Sequence, residues 1–403
     1  EQVAGGIGNV EHNSILVRYS NDFSIWDLES VNHYKDQTDI FFTCHEFSYN
    51  KIAEAYEPYL GLIRQMFHKY CSGTLEEFME ECDVYKLQRP VFESYFEKGF
   101  CERTEQILID EVEYEQERMR NSIVTMLQKL SEIRPVVIVL NRFQLASKST
   151  MQLTNRLLQT KNKNIGIVLG VNDVQSIPEF AHEEWDAICE SMDDRNMVYH
   201  IGNAGRNMEP DVMDYYSDYE SDDGYRKLNN LVYFLDFDQA DHHLSKIERR
   251  IKFDNFTISE KKHYQLLLLQ IMVSVLQRDI AKALESCEDL EKLQDQEKEG
   301  AFYYNFWMAT SYMYLGKLEE AMIYVQKAKE CGEALGDDFL VFRAELLKAQ
   351  NQMSGWCNIF FCAQDIEISD KLIEKLNAYH YKNHLAHIYI YAYDNKPEIV
   401  AKA

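Results

Sequence analysis

The sequence predicts two bodies in series: an α/β domain built on a parallel sheet, then an all-helical array of repeated hairpins. Three observations carry this reading. Apolar, β-branched runs alternate with helical stretches over the first two hundred residues, as parallel strands buried on both faces do. An acidic stretch, Glu209–Asp223 (EPDVMDYYSDYESDD), then breaks every periodicity. Beyond it the pattern is amphipathic helix throughout, with alanines recurring at Ala240, Ala283 and Ala321. The boundaries that follow are 1–207 for the α/β domain, 208–224 for an acidic linker, and 225–403 for the helical array.

In chain order, the strand-like runs are Ile15–Val17, Asp39–Thr43 (DIFFT), Val136–Leu140 (VVIVL), Ile165–Val171 (IGIVLGV) and Met197–Ile201 (MVYHI). Between them the helical stretches are Tyr56–Tyr70, Glu102–Ile133, Thr150–Gln159 and Glu183–Asp193. In the array, Asn305–Ala328 (NFWMATSYMYLGKLEEAMIYVQKA) reads as a helix–turn–helix with Gly316 at its turn. Asp236–Ile251 and Asp279–Leu293 read as second helices of the same unit. The spacing of 43 and then 38 residues between the marker alanines predicts about four units, the last cut short near Lys396.

Composition bounds the function. Lys and Arg number 42 against 67 Asp and Glu, a net charge of −25 over 403 residues. That balance argues against nucleic acid or an anionic membrane as a direct partner, since both repel such a surface. No apolar run approaches the ~20 residues of a membrane span. Nine cysteines without a CxxC pair read as free thiols in a reducing, cytoplasmic setting. His380, His384 and His387 share one helix face, yet no carboxylate completes a metal site, and no HExxH or GxSxG is present. The prediction is no metal and no cofactor.

Four segments resemble the STAND class of signalling NTPases, an AAA-like P-loop module followed by a tetratricopeptide-like sensor, as in bacterial signalling and transcription regulators. Ala55–Phe67 (AYEPYLGLIRQMF) is similar to the family segment after the second strand, where a proline introduces a helix. Arg134–Thr150 resembles the Walker B strand and its turn, Asn164–Val174 the sensor strand, and Met197–Asn203 the closing strand. The Asn305–Ala328 hairpin resembles a tetratricopeptide repeat, with small residues where two helices approach.

The resemblance also exposes what this chain lacks. A P-loop needs glycines to bring backbone N–H groups onto phosphate, a Lys, and a Ser or Thr for Mg²⁺. Tyr19-Ser20-Asn21-Asp22-Phe23-Ser24-Ile25-Trp26 fills that slot without either glycine; Ile25 replaces the Lys and Trp26 the Ser/Thr, while Asp22 repels phosphate. At the Walker B position Asn141 and Arg142 stand for two carboxylates, and neither is a general base. Asn172 and Asp173 occupy the sensor position.

The expected function is a non-catalytic regulatory module: a pseudo-NTPase platform whose helical array binds a protein, peptide or small effector and controls an output domain outside these residues. Tyr303, Tyr304, Trp307, Tyr314 and Trp356 are the expected partner-binding groove, because Tyr and Trp make good anchors. Two alternatives stand: a nucleotide-binding STAND switch that holds phosphate through Arg142, and a pure scaffold that forms homo-oligomers.

Overall fold

The computed structural model describes residues 14–19, 39–48, 51–86, 88–101, 112–160, 162–172, 177, 179–194, 197–201, 221–254 and 256–354. The chain forms two compact units, Glu1–Arg103 with Glu111–Ala240, and Thr104–Asp110 with Asp241–Ala403.

Five strands build the sheet of the first unit: β1 Ser14–Tyr19, β2 Phe41–Glu46, β3 Val136–Asn141, β4 Ile165–Asn172 and β5 Val198–Ile201. Their order is β2-β3-β4-β1-β5 and every pairing is parallel. The expected α/β architecture with a parallel sheet is present. All six residues of β3 are buried, as a VVIVL run in an inner strand requires. The run DIFFT departs from the expectation of burial on both faces. Here β2 lies at the sheet's edge, and Phe41 to His45 are only half-buried.

Helices carry the crossovers. They are α1 Tyr59–Tyr70, α2 Leu75–Glu81, α3 Arg89–Lys98 and α4 Val112–Ile133 between β2 and β3, then α5 Lys148–Gln159 and α6 His182–Asp194. The stretch predicted as one helix from Glu102 is described only from Val112 onward. Two short helices were missing from the sequence reading. One opens on a capping box, where Thr74 Oγ1 accepts from Glu77 N and the Glu77 carboxylate accepts from Thr74 N. The other follows Gln88 with Pro90 in its first turn and stops at Gly99, whose φ of +81° suits glycine.

The next helix is α7, Asp222–Tyr233, capped by Ser221, which accepts from Gly224 N at 2.9 Å. The end of the expected linker is therefore helical. The division between units falls later, within α8, Phe237–Phe253.

The second unit continues with α9 Glu260–Leu276, α10 Ile280–Glu291, α11 Gly300–Tyr314, α12 Leu318–Leu335 and α13 Asp338–Ser354. This region is mostly helical. One backbone turn recurs through α7 to α13. Leu235, Arg278, Gly316 and Gly336 all have φ between 65° and 72°. Each donates its N–H to the carbonyl three residues back, and the following residue donates to the carbonyl five back, at 2.8–3.1 Å. That is a Schellman closure, which satisfies the orphan carbonyls of the preceding helix. The marker alanines Ala240, Ala283 and Ala321 sit five residues beyond the first three of these positions and are fully buried. A Cβ on Gly332 of α12 would lie 2.9 Å from Val341 N of α13, so this glycine permits the close approach of two helices.

Candidate functional site at the carboxyl edge of the sheet

A parallel sheet delivers the carboxyl ends of its strands to one edge, where open α/β sheets bind their ligands. Register fixes who meets whom there. Tyr19 lies beside Asn172, and Glu46 beside Asn141. The Tyr19 hydroxyl reaches past β4 and donates to Asn141 Oδ1 at 2.8 Å. Both residues are buried, Tyr19 at 2% exposure and Asn141 at 1%. Burial pushes the Tyr19 phenol up to about 12, with Glu46 adding to the rise and Arg142 opposing it. The phenol therefore stays protonated and keeps donating through the neutral range.

After Asn141 the chain turns sharply. Arg142 adopts φ 53° and ψ 43°, a left-handed conformation uncommon outside glycine, asparagine and aspartate. Its Nε stands 3.3 Å from Glu46 Oε1, a pair about 40% exposed on each side. Such a pair is worth ~0–1 kcal/mol. Gln144, 1% exposed, accepts from Asn172 N at 3.3 Å and so ties the turn to the end of β4. Phe143 packs beneath against Phe47 and Trp185.

The expected phosphate-loop, Walker B and sensor positions thus converge through Tyr19, Asn141, Arg142 and Asn172. Asp22, Ser24, Ile25, Trp26 and Asp173 lie outside the described residues. What meets here is a phenol, two amides and a guanidinium already facing Glu46. None of Tyr19, Asn141, Arg142 and Asn172 carries a carboxylate; Glu46 of β2 brings one to this edge, where it pairs with Arg142.

A second cluster beside this edge escaped the sequence reading. It is organised by Ala55-Tyr56-Glu57-Pro58, the segment matched on its proline. Tyr56 is 1% exposed with φ 55°. Its N–H donates to Ser149 Oγ at 3.2 Å, while Thr150 Oγ1 donates to the Glu57 carbonyl at 3.1 Å. These hydroxyls belong to the first turn of α5, where Ser147 Oγ caps by accepting from Thr150 N. Two carboxyls flank the tyrosine. Glu54 Oε2 accepts from Asn230 Nδ2 at 2.8 Å, and Glu57 Oε2 accepts from Glu54 N at 3.2 Å. Burial, and then the nearby Glu57, push Glu54 up to about 7, against the opposing pull of Asn230 and Lys227. Burial also raises Glu57. His45 Nε2 lies 3.4 Å from Glu57 Oε1, yet burial and Lys51 lower this imidazole to about 4. At neutral pH that contact involves an uncharged ring and is not an ion pair. A perturbed carboxyl pair next to a polar edge is a recognised mark of functional sites. The signal in the sequence was two glutamates three residues apart around a tyrosine, too common a pattern to stand out.

Asp236 completes the cluster's floor. It is 4% exposed and accepts from Ser149 N at 2.9 Å and from Gln239 N at 3.4 Å. Lys148 Nζ reaches Asp238 Oδ2 at 2.7 Å.

The expected groove fares unevenly. Tyr303 and Trp307 are core residues, 2% and 8% exposed, so neither faces a partner. They sit on the buried side of α11 because nearly every position of that helix from Phe302 to Ser311 packs inward. Tyr304 is half-buried against Tyr324. Tyr314 is 41% exposed with Arg278 4.2 Å over its ring. Trp356 and the His380–His387 cluster lie outside the described residues. Among the described residues no helix is long and apolar enough to cross a membrane.

Comparison with known proteins gives no match to a family model, to a curated protein or to a solved structure. The family reading accordingly rests on the residues and the fold of this chain alone.

Proposed function

We propose that this chain is a non-catalytic regulatory module: a pseudo-NTPase platform of the STAND type, joined to a tetratricopeptide-like array that binds a protein, peptide or small effector. The observation that carries the reading is the buried Tyr19–Asn141 bond. It fills the junction of the first and third strand ends, where a working module would keep a phosphate loop and two carboxylates. Support for the array comes from the recurrent Schellman turns and from the buried alanines set at a fixed distance beyond three of them. Of the expected groove residues, Tyr304 and Tyr314 are the described ones that reach the surface.

Calorimetry with ATP and ADP, with and without Mg²⁺, tests the platform. The expected result is no heat of binding at millimolar nucleotide. Micromolar binding would sink the pseudo-NTPase reading in favour of a switch that holds phosphate through Arg142, whose exposure of 42% leaves it reachable. A sharper version substitutes Ile25→Lys and Trp26→Ser together. Nucleotide affinity gained by that double change would identify a decayed phosphate loop.

A further inference from the structure

α5 follows β3, so its N-terminus opens onto the carboxyl edge of the sheet, where an open α/β fold presents backbone N–H groups to anionic ligands. Here a carboxyl of the chain itself takes that place. Asp236 lies in the turn between α7 and α8, and its two carboxyl oxygens serve two helices. Oδ2 accepts from the N–H of Ser149, the second residue of α5, at 2.9 Å. Oδ1 accepts from the N–H of Gln239, the third residue of α8, at 3.4 Å. The Ser149 hydroxyl adds a further bond. The N-terminal dipole ends of a 12-residue and a 17-residue helix thus converge on one carboxyl group that is 4% exposed.

The surroundings of this seat are polar and occupied. Thr150 N donates to Ser147 Oγ at 3.2 Å, and Lys148 Nζ, beside Asp236, is held by Asp238 Oδ2 at 2.7 Å. Gln116 Nε2 donates to the Leu235 carbonyl at 2.7 Å and fixes the turn from α4. Burial raises the Asp236 carboxyl, while the bonds from Ser149 and Gln239 oppose that rise. Donors aimed at both oxygens favour the carboxylate, as they would a bound anion.

We propose that Asp236 is a tethered anion: the α7–α8 turn plugs a carboxylate seat shared by the N-termini of α5 and α8, and the seat takes a free carboxylate once the plug is cut away. In the intact chain the plug closes this part of the carboxyl edge to small anions. None of the residues of the Tyr19–Asn141 junction belongs to the seat. Nucleotide binding by the unaltered chain is a separate measurement from anion binding by an Asp236 variant, so one can fail without the other.

Chemical rescue in the full chain tests this. Asp236→Ala removes the carboxyl group and leaves both N–H groups facing a space that formate fits. In about 100 mM potassium formate its thermal midpoint is expected to rise by about 2–4 °C over potassium chloride of equal ionic strength, the shift for binding at about 20 mM. The unaltered chain, whose seat is filled, is expected to show no such difference. No formate-specific rise in a folded Asp236→Ala chain, or an equal rise in the unaltered chain, overturns the proposal. Asp236→Asn keeps the shape and an acceptor without the charge, and it decides where Asp236→Ala does not fold. This variant is expected to lower the folding equilibrium about tenfold in urea and to show no response to formate. Unaltered stability in Asp236→Asn would mean that the seat does not select an anion, and overturns the plug.

Discussion

The turn at Leu235–Asp236 and the turn at Gly316–Lys317 share one backbone and differ in everything their side chains do. Both close a helix with the same two bonds and a left-handed residue in the same place. In the first, Leu235 and Asp236 are buried, the Leu235 carbonyl accepts from Gln116 Nε2 at 2.7 Å, and the Asp236 carboxyl accepts from Ser149 N. In the second, Gly316 has no atom within 4 Å of where its Cβ would be, and Lys317 makes no side-chain cap. A Schellman turn is therefore a local device that costs little to repeat. What makes one copy structural is the surrounding polar attachment, here to α4 and α5 of the α/β unit.

Substitutions at equivalent positions sharpen this contrast. Asp236→Ala leaves Ser149 N and Gln239 N without their acceptor inside the protein and is expected to cost about 2–4 kcal/mol in urea unfolding. Asp279→Ala removes only an exposed N-cap to Lys282 N and is expected to cost about 1 kcal/mol. Lys317→Ala removes no cap and is expected to stay within ~0.5 kcal/mol. Equal losses at all three would mean that the turn, and not its attachments, carries the energy.

Next in size is Tyr19→Phe. It strands the buried Asn141 Oδ1, and a loss of about 1–3 kcal/mol is expected from chemical denaturation. A neutral result would mean that water or another donor replaces the phenol, and that the strand ends are more open than the bond implies.

The smallest expected effects are opposite in sign at matching places. Gly316→Ala puts a Cβ on φ 72° and is expected to destabilise by about 1 kcal/mol. Arg278→Gly relieves φ 65° at an exposed residue and is expected to gain up to about 1 kcal/mol, less whatever the guanidinium contributes over Tyr314. Thermal midpoints of the two variants, moving in opposite directions, would check the equivalence.

Legibility followed period and chemistry. The inner strands β1, β3 and β4 are centred where an apolar run places them, because β-branched residues buried against two neighbours leave a clear signature, whereas the edge strand β2 runs on from DIFFT to Glu46. The turn at Gly316 was equally plain, since glycine advertises its φ. Leu235 and Arg278 were not, because nothing about leucine or arginine announces a left-handed residue; only the alanine five positions on betrayed them. The Tyr19–Asn141 bond joins residues 122 apart, so the sequence could name both positions without revealing that they touch. The Glu54–Glu57 pair was invisible for a different reason. Its character comes from burial beneath α7, a helix read as part of the array. Tyr303 and Trp307 are core because α11 packs inward at nearly every position from Phe302 to Ser311, so an aromatic-rich stretch does not by itself reveal an outer face.

The recurrent turn has a consequence for how this chain can be rebuilt. Residues 279–316 begin just after one left-handed position and end on the next. Removing that cassette joins Arg278 to Lys317 and leaves a left-handed residue followed by a helix start, with Ala321 where Ala283 had been. Both junctions close on the same two hydrogen bonds with the left-handed residue in the same place, so the cut ends meet on a backbone that each already adopts.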